Sequence, residues 1–279
     1  SGTGSVAVGA NSSTLNAKAI AIGNATAIAD SSISIGEKTT SSDENAIAMG
    51  TSSISSGDGS LSLGSWSEAT GYRSVAVGPS AESSSYASVA LGSESGARAN
   101  YSISIEEFSR ATEHAAVAIG DQAKAQGSQS VAIGQNSKVN GGNYSAALGY
   151  SADASGHSAV AIGNNAKAVN NYNIAIGANA CQYVTGTNKT CIGANSGPSD
   201  SAQRSDSSTE SLYFGTAGRF ISGSTNMDTN SIFELHKKGD YAVAFLNADL
   251  VVNGFTWTQV GGKSGHGDAI GFFRSKTWK

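Results

Sequence analysis

The chain has 279 residues, of which 39% are hydrophobic, 7% aromatic and 14% charged, with a formal net charge of −4. That balance provides no basic field to gather phosphate backbones, so nucleic acid is not an expected partner. No apolar run approaches the roughly 20 residues of a membrane helix, and no charged-then-apolar leader opens the chain, so membrane insertion by this segment is not expected.

The first two thirds repeat one short phrase, as in Ser5-Val6-Ala7-Val8-Gly9, Ser88-Val89-Ala90-Leu91-Gly92 and Ala159-Val160-Ala161-Ile162-Gly163. Its closing position falls at Gly9, Gly23, Gly36, Gly50, Gly64, Gly78, Gly92, Glu106, Gly120, Gly134, Gly149, Gly163, Gly177 and Gly193, a step of 14 residues with slips of one or two. A unit that short cannot fold alone and is stable only when its neighbours cover it, which defines a solenoid rung. Ser, Ala, Gly and Asn dominate this region, but a disordered tract would not hold its apolar residues in phase over so many periods.

Within the phrase, the residues three and one before the closing Gly are aliphatic and the one between them is small, a period of two that predicts a strand. After the Gly, the third and fifth residues are mostly small (Ala81 and Ser83, Ala123 and Ala125). The fourth is often charged, as at Glu68, Glu82, Arg110, Lys124, Lys138, Asp153 and Lys167, and is expected to face water. A second glycine seven residues after the first (Gly57, Gly71, Gly127, Gly141, Gly156) is expected where a turn demands positive φ. Each rung then holds two short strands and two tight turns, and stacked rungs make two facing parallel sheets. The expected interior is aliphatic from one sheet and Ala or Ser from the other. On that assignment the residue between the aliphatics points away from the interior, yet it is never Lys, Glu or Thr. The restriction suggests steric exclusion by another copy of the chain along Ala7, Ala21, Ala48, Ala76, Ala90, Ala118, Ala132, Ala161 and Ala175.

The repeated Ser-Val-Ala-Ile-Gly type phrase, on its 14-residue period with a following small-x-small segment and Gly, resembles the YadA-like head of trimeric autotransporter adhesins. The resemblance covers about residues 1–196. It implies an all-β fold: a left-handed parallel β-roll solenoid, three chains side by side as a homotrimer, carried on an extracellular fibre that attaches to a cell-surface glycan or protein receptor. Phage tail fibres carry similar repeats. No neck motif, heptad stalk or barrel anchor follows the repeats, which moves the expectation toward a virion tail fibre or comparable appendage, with a bacterial surface adhesin and a purely structural spacer as the alternatives. At Glu106 the closing Gly is lost, and a local change of turn is expected.

Cys181 and Cys191 sit in the longest rung, at positions read as outward, and bracket Gln182 to Thr190. A disulfide between them fits an oxidising compartment, and two independent small residues is the equal alternative. His114, His157, His236 and His266 lack metal-ligand spacing, and no Ser, Cys or carboxylate has an activating partner nearby. Neither metal, cofactor nor enzymatic activity is therefore expected.

The phase ends near Asn195 to Asp200, so residues 197–279 are read as a second, aromatic-rich β domain, a trimeric tip or connector. Seven of the eight Phe lie there, between Phe214 and Phe273. Strands are predicted over Ser211–Gly215, Arg219–Ser222, Ser231–His236, Tyr241–Asn247, Leu250–Val252 and Phe255–Thr258, with a hairpin turn over Lys237 to Asp240. Trp257, Phe272, Phe273, Arg274 and Trp278 are the candidate receptor-binding residues, because binding energy concentrates on aromatic and Arg side chains.

Overall fold

The closing glycine ends each strand because it takes a backbone conformation that other residues avoid: φ is 129° at Gly50, 129° at Gly78 and 132° at Gly92. Space is equally restrictive, since a Cβ on Gly78 would stand 2.6 Å from the Gly92 carbonyl oxygen of the next rung. Two residues on, a second left-handed residue completes the reversal, as at Ser80 (φ 54°), Glu94 (53°) and Gln122 (58°). A third lies just before the next phrase, at Arg73, Ala87 and Ala115. These fixed corners fold every 14-residue segment into the same flattened loop.

The computed structural model describes residues 2–197, 210–214, 220–222, 233–236, 242–245, 250–252, 255–260 and 271–275. All regular elements among them are β-strands. The chain divides into two units, Ser1–Ala152 and Asp153–Lys279.

The first unit is a parallel β-solenoid. Its phrases form three-residue strands, among them Val75–Val77, Val89–Leu91, Ile103–Ile105, Val117–Ile119 and Val131–Ile133, each paired in parallel with the next and in register. The segments after the glycines form two-residue strands such as Glu82–Ser83, Gly96–Ala97, Arg110–Ala111, Lys124–Ala125 and Lys138–Val139, stacked in a second ladder. Near the start the two strands of a rung merge into Ile20–Ala27 and Ile33–Ser41, whose pairing shifts register between Asn24 and Thr26.

The interior is the reverse of the expected one. Ala21, Ala48, Ala76, Ala90, Ala118 and Ala132 are fully buried inside the single chain, as are Ala161 and Ala175 in the second unit, while the aliphatic residues flanking them point out. A partner chain therefore cannot pack against those alanine side chains. Ala7, in the first rung, is exposed. The reason is the closeness of the two sheets. Hydroxyls from opposite sheets meet directly across the interior, Ser62 Oγ to Ser67 Oγ at 2.7 Å, Ser83 Oγ to Ser88 Oγ at 2.7 Å and Ser104 Oγ to Ser109 Oγ at 2.8 Å. Methyls and hydroxymethyls fill most of that gap, with Val139 and Thr39 among the few larger groups, so the parity of the strand is decided by volume and not by hydrophobicity. Several of the buried serines donate to backbone carbonyls of their own turns, as Ser88 Oγ does to Ser85 O at 2.7 Å and Ser102 Oγ to Ala99 O at 2.6 Å, which offsets the cost of burying those hydroxyls.

The second glycine also has a different role from the expected one. Gly57, Gly71, Gly127 and Gly156 do not take positive φ, and of the group only Gly141 does (81°). What they supply is clearance: a Cβ on Gly57 would lie 2.0 Å from Gly71 O, and one on Gly71 would lie 2.1 Å from Ser85 O. The backbone of the next rung passes directly over these positions.

In the second unit, Val160–Ile162, Ile174–Ile176, Lys189–Ile192 and Glu210–Phe214 continue as parallel neighbours. The pairing then turns antiparallel: Glu210–Phe214 with Phe220–Ser222, Phe233–His236 with Ala242–Phe245, and Phe255–Val260 with both Leu250–Val252 and Gly271–Ser275. The antiparallel pair joining 233–236 to 242–245 spans the predicted hairpin, whose turn lies outside the described residues. Gly271–Ser275 is a strand that the sequence pattern did not single out.

Candidate functional site

The inverted parity leaves two aliphatic ladders on the outside of the first unit. Val75, Val89, Ile103, Val117 and Val131 form one in strict register, and Val77, Leu91, Ile105, Ile119 and Ile133 form the other. The single chain covers them only in part: Val8 is 54% exposed, Leu63 41% and Ile133 37%. Two parallel rows of branched aliphatics on a flat sheet make a continuous apolar face, the kind that marks an association surface. In the second unit Ile162, Ile176 and Ile192 continue the same outward pattern at 37–38% exposure.

The opposite sheet face carries the fourth-position residues. They run in register as Glu68, Glu82, Gly96, Arg110, Lys124 and Lys138, so the charge changes sign along the ladder. Arg98 reaches back to Glu82, with Nη2 to Oε2 at 2.7 Å and Nε donating at 2.9 Å. At 44% and 36% side-chain exposure the pair is solvated and contributes little to stability.

One edge of the first unit holds an aromatic row. Tyr72 and Tyr86 stack at 5.4 Å between ring centroids, Tyr86 meets Tyr101 edge-on at 5.2 Å, and Tyr101 meets His114 edge-on at 5.7 Å. The Arg73 guanidinium sits 4.9 Å over the Tyr72 ring. The recurrence of an aromatic residue at a near-14-residue spacing (72, 86, 101, 114) was the available signal for this row.

Cys181 and Cys191 are joined in a disulfide with their Cα atoms 5.6 Å apart. Both are buried, so their reading as outward residues is corrected. The same rung places Lys189 fully inside the roll, at the position that other rungs fill with Ala, Ser or Asn, and its Nζ donates to Ser211 Oγ at 3.0 Å. Asn173, also buried, accepts from Lys189 N at 2.9 Å and donates through Nδ2 to Gly186 O at 3.1 Å. Tyr213 lies buried in the adjacent strand, opposite Cys191 in register. Large side chains are buried here, and the disulfide ties the lengthened loop to the strand.

Of the candidate receptor-binding residues, the structure sets Trp257 opposite Arg274 in register, with Phe273 opposite Thr258 and Phe272 opposite Gln259 on the neighbouring pairs. Trp278 lies outside the described residues. No group of three or more His, Cys, Asp or Glu among the described residues could hold a metal ion.

A thin, alanine- and serine-filled parallel solenoid with outward aliphatic ladders defines the class of repeat. A family model described as the YadA head domain repeat (2 copies) matches residues 1–26, 27–53, 55–81, 111–137, 141–166 and 154–180, more than half of the chain. The chain belongs to that family. Among solved structures it is similar to the collagen-binding domain of the Yersinia adhesin YadA, at 27% identity and a TM-score of 0.36, covering 58% of this chain and 82% of that one. A comparison with curated proteins gives no match.

Proposed function

We propose that the chain is a segment of a homotrimeric, non-enzymatic attachment fibre on a bacterial surface, adhering to a cell-surface glycan or protein receptor. The observation that carries this reading is the pair of aliphatic ladders left half-covered by the chain itself. Burying them costs no folding rearrangement, because the strands that carry them are already paired, and apolar area removed from water returns roughly 25 cal/mol per Å². Three copies facing one axis would cover every ladder equally, as closed symmetry requires. Family membership supports the attachment role, and the buried disulfide suits an oxidising extracellular setting.

In this reading residues 1–196 are the fibre body and 197–279 a tip or connector that carries recognition. The parallel ladder reaches Glu210–Phe214 and turns antiparallel only at Phe220–Ser222, so the tip reading rests on the antiparallel pairing beyond that point, where Trp257 and Arg274 stand opposite in register. The experiment is attachment of the purified protein to cells, to a glycan array and to immobilised collagen, alongside Trp257→Ala and Trp278→Ala. Either substitution is expected to lower attachment at least tenfold with the oligomer intact. Undiminished attachment by both removes the tip from recognition. Failure of the wild type to attach to any surface favours a structural spacer, and immunogold labelling of virions in place of cells favours a tail fibre.

A further inference from the structure

Around one shallow groove of the first unit, three features converge. The groove encloses about 420 Å³ and is lined by Phe108, Arg110, Gln122 and Lys124. The first is Phe108, an aromatic ring at a left-handed corner (φ 55°) that Ser80, Glu94 and Asn136 occupy in other rungs and that Trp66 (φ 60°) also fills with an aromatic ring. The second is Gly96, directly in register with Arg110. Having no side chain, it leaves room for two guanidinium groups, with Arg110 Nη1 3.5 Å and Arg98 Nε 3.6 Å from where a Cβ would stand. The third is the stacking of Arg110 on Lys124, two cations on adjacent strands in register, where like charges repel.

Neither Arg110 nor Lys124 makes an ion pair with a described residue. The acids of this surface are committed elsewhere or stand on the turn. Glu82 is held by Arg98, Asp121 accepts from Gln135 Nε2 at 3.0 Å, Glu106 accepts from Asp121 N at 3.1 Å, and Glu107 is exposed on the turn before Phe108. Two adjacent unpaired cations beside an aromatic ring and an amide form a set of groups with one common complement.

We propose that this groove binds an acidic saccharide, a pyranose carrying a carboxylate or a sulfate. The anionic group bridges the Arg110 fork and the Lys124 ammonium, the guanidinium supplying planar, bidentate recognition. The ring's apolar face lies on Phe108, and Gln122 exchanges hydrogen bonds with its hydroxyls. Nucleic acid fits less well, because so short a cationic row on a chain of net charge −4 neutralises few phosphates. The site lies in the fibre body and does not depend on the tip being a receptor-binding element.

The test is calorimetric titration of the intact protein with a heparin-derived tetrasaccharide, with neutral maltotetraose and with a short single-stranded DNA, all at physiological salt. The heparin tetrasaccharide is expected to bind and maltotetraose to show no heat. Arg110→Gln and Lys124→Gln should each weaken binding roughly tenfold or more, as for loss of a charged hydrogen bond. Phe108→Ser, which installs the residue found at Ser80, should weaken binding without lowering the melting temperature. Lys38→Gln, at an exposed cation away from the groove, should leave it unchanged. Equal binding of maltotetraose, tighter binding of DNA, or an equal loss from Lys38→Gln would each overturn the assignment.

Discussion

Ala118→Leu places an isobutyl group where the structure leaves room for a methyl. Ala118 is fully buried and stacked between Ser104 and Ala132 in the ladder. One rung earlier the equivalent residue, Ser104, already touches Ser109 across the interior at 2.8 Å. Overpacking of a close-packed core typically costs about 1–3 kcal/mol, and the upper end applies here because the stacked neighbours are held by backbone pairing and cannot make way. For a unit of this size each kcal/mol lowers the melting temperature by roughly 2–4 °C, so the expected fall is roughly 6–12 °C. Gln126→Leu, at an exposed position outside both ladders, adds the same side chain on the surface and should move it by less than about 2 °C. Circular dichroism melts of both variants, repeated at two scan rates to detect irreversibility, provide the measurement. A wild-type melting temperature for Ala118→Leu, or a larger loss for Gln126→Leu, would refute the small-residue interior.

The two kinds of second glycine should separate sharply. Gly71→Ala drives a Cβ to 2.1 Å from Ser85 O and is expected to prevent soluble expression or to cut stability by several kcal/mol, whereas Gly141→Ala, with nothing within 4 Å and φ +81°, should cost only about 1 kcal/mol in denaturant titrations. Ile105→Lys with Ile133→Lys charges one aliphatic ladder and should convert the assembly to monomers that keep the β-type circular dichroism; a trimer mass for that variant by light scattering would move the interface elsewhere. Cys181→Ser with Cys191→Ser opens a loop of sequence separation 10 and should destabilise the last rung by roughly 2–3 kcal/mol, seen as faster hydrogen exchange over Lys189–Ile192 with the first unit unchanged.

The period, the rung boundaries and the strands over the aliphatic phrases were all legible in the sequence, because a left-handed corner can be held at low cost only by a few residue types and Gly50, Gly64 and Gly78 recur at the required step. Which side of the strand faces inward was not legible. Alternation has two phases of equal regularity, and choosing the aliphatic phase assumed a sheet separation wide enough for Val and Ile. The separation is set by the tight corners, and the clue lay in the coincidence of small residues at Ser88, Ala90, Ser95 and Ala97 on both strands of a rung. Gly57 and Gly71 were misread for a related reason: a glycine needed for clearance from the next rung looks the same in sequence as one needed for its φ. Gly271–Ser275 escaped notice because Phe272, Phe273 and Arg274 show no alternation, the pairing with Phe255–Val260 being what makes them a strand. The groove of Phe108 and Arg110 was half-visible as an irregular rung at Glu106, but only stacking in register brings Gly96, Arg110 and Lys124 together.

A core of methyls and hydroxymethyls also sets the thermal character of the roll. The heat-capacity change of unfolding grows with exposed apolar area and shrinks with exposed polar area, so an interior of Ala19, Ser32, Ser34 and their counterparts exposes little of the first and much of the second. The free energy of the roll should then vary little with temperature, and the hydrophobic weakening that drives cold denaturation has little to act on. What apolar area the chain possesses lies on its outer ladders, so the curvature of its stability with temperature would report assembly between chains and not the folding of any one of them.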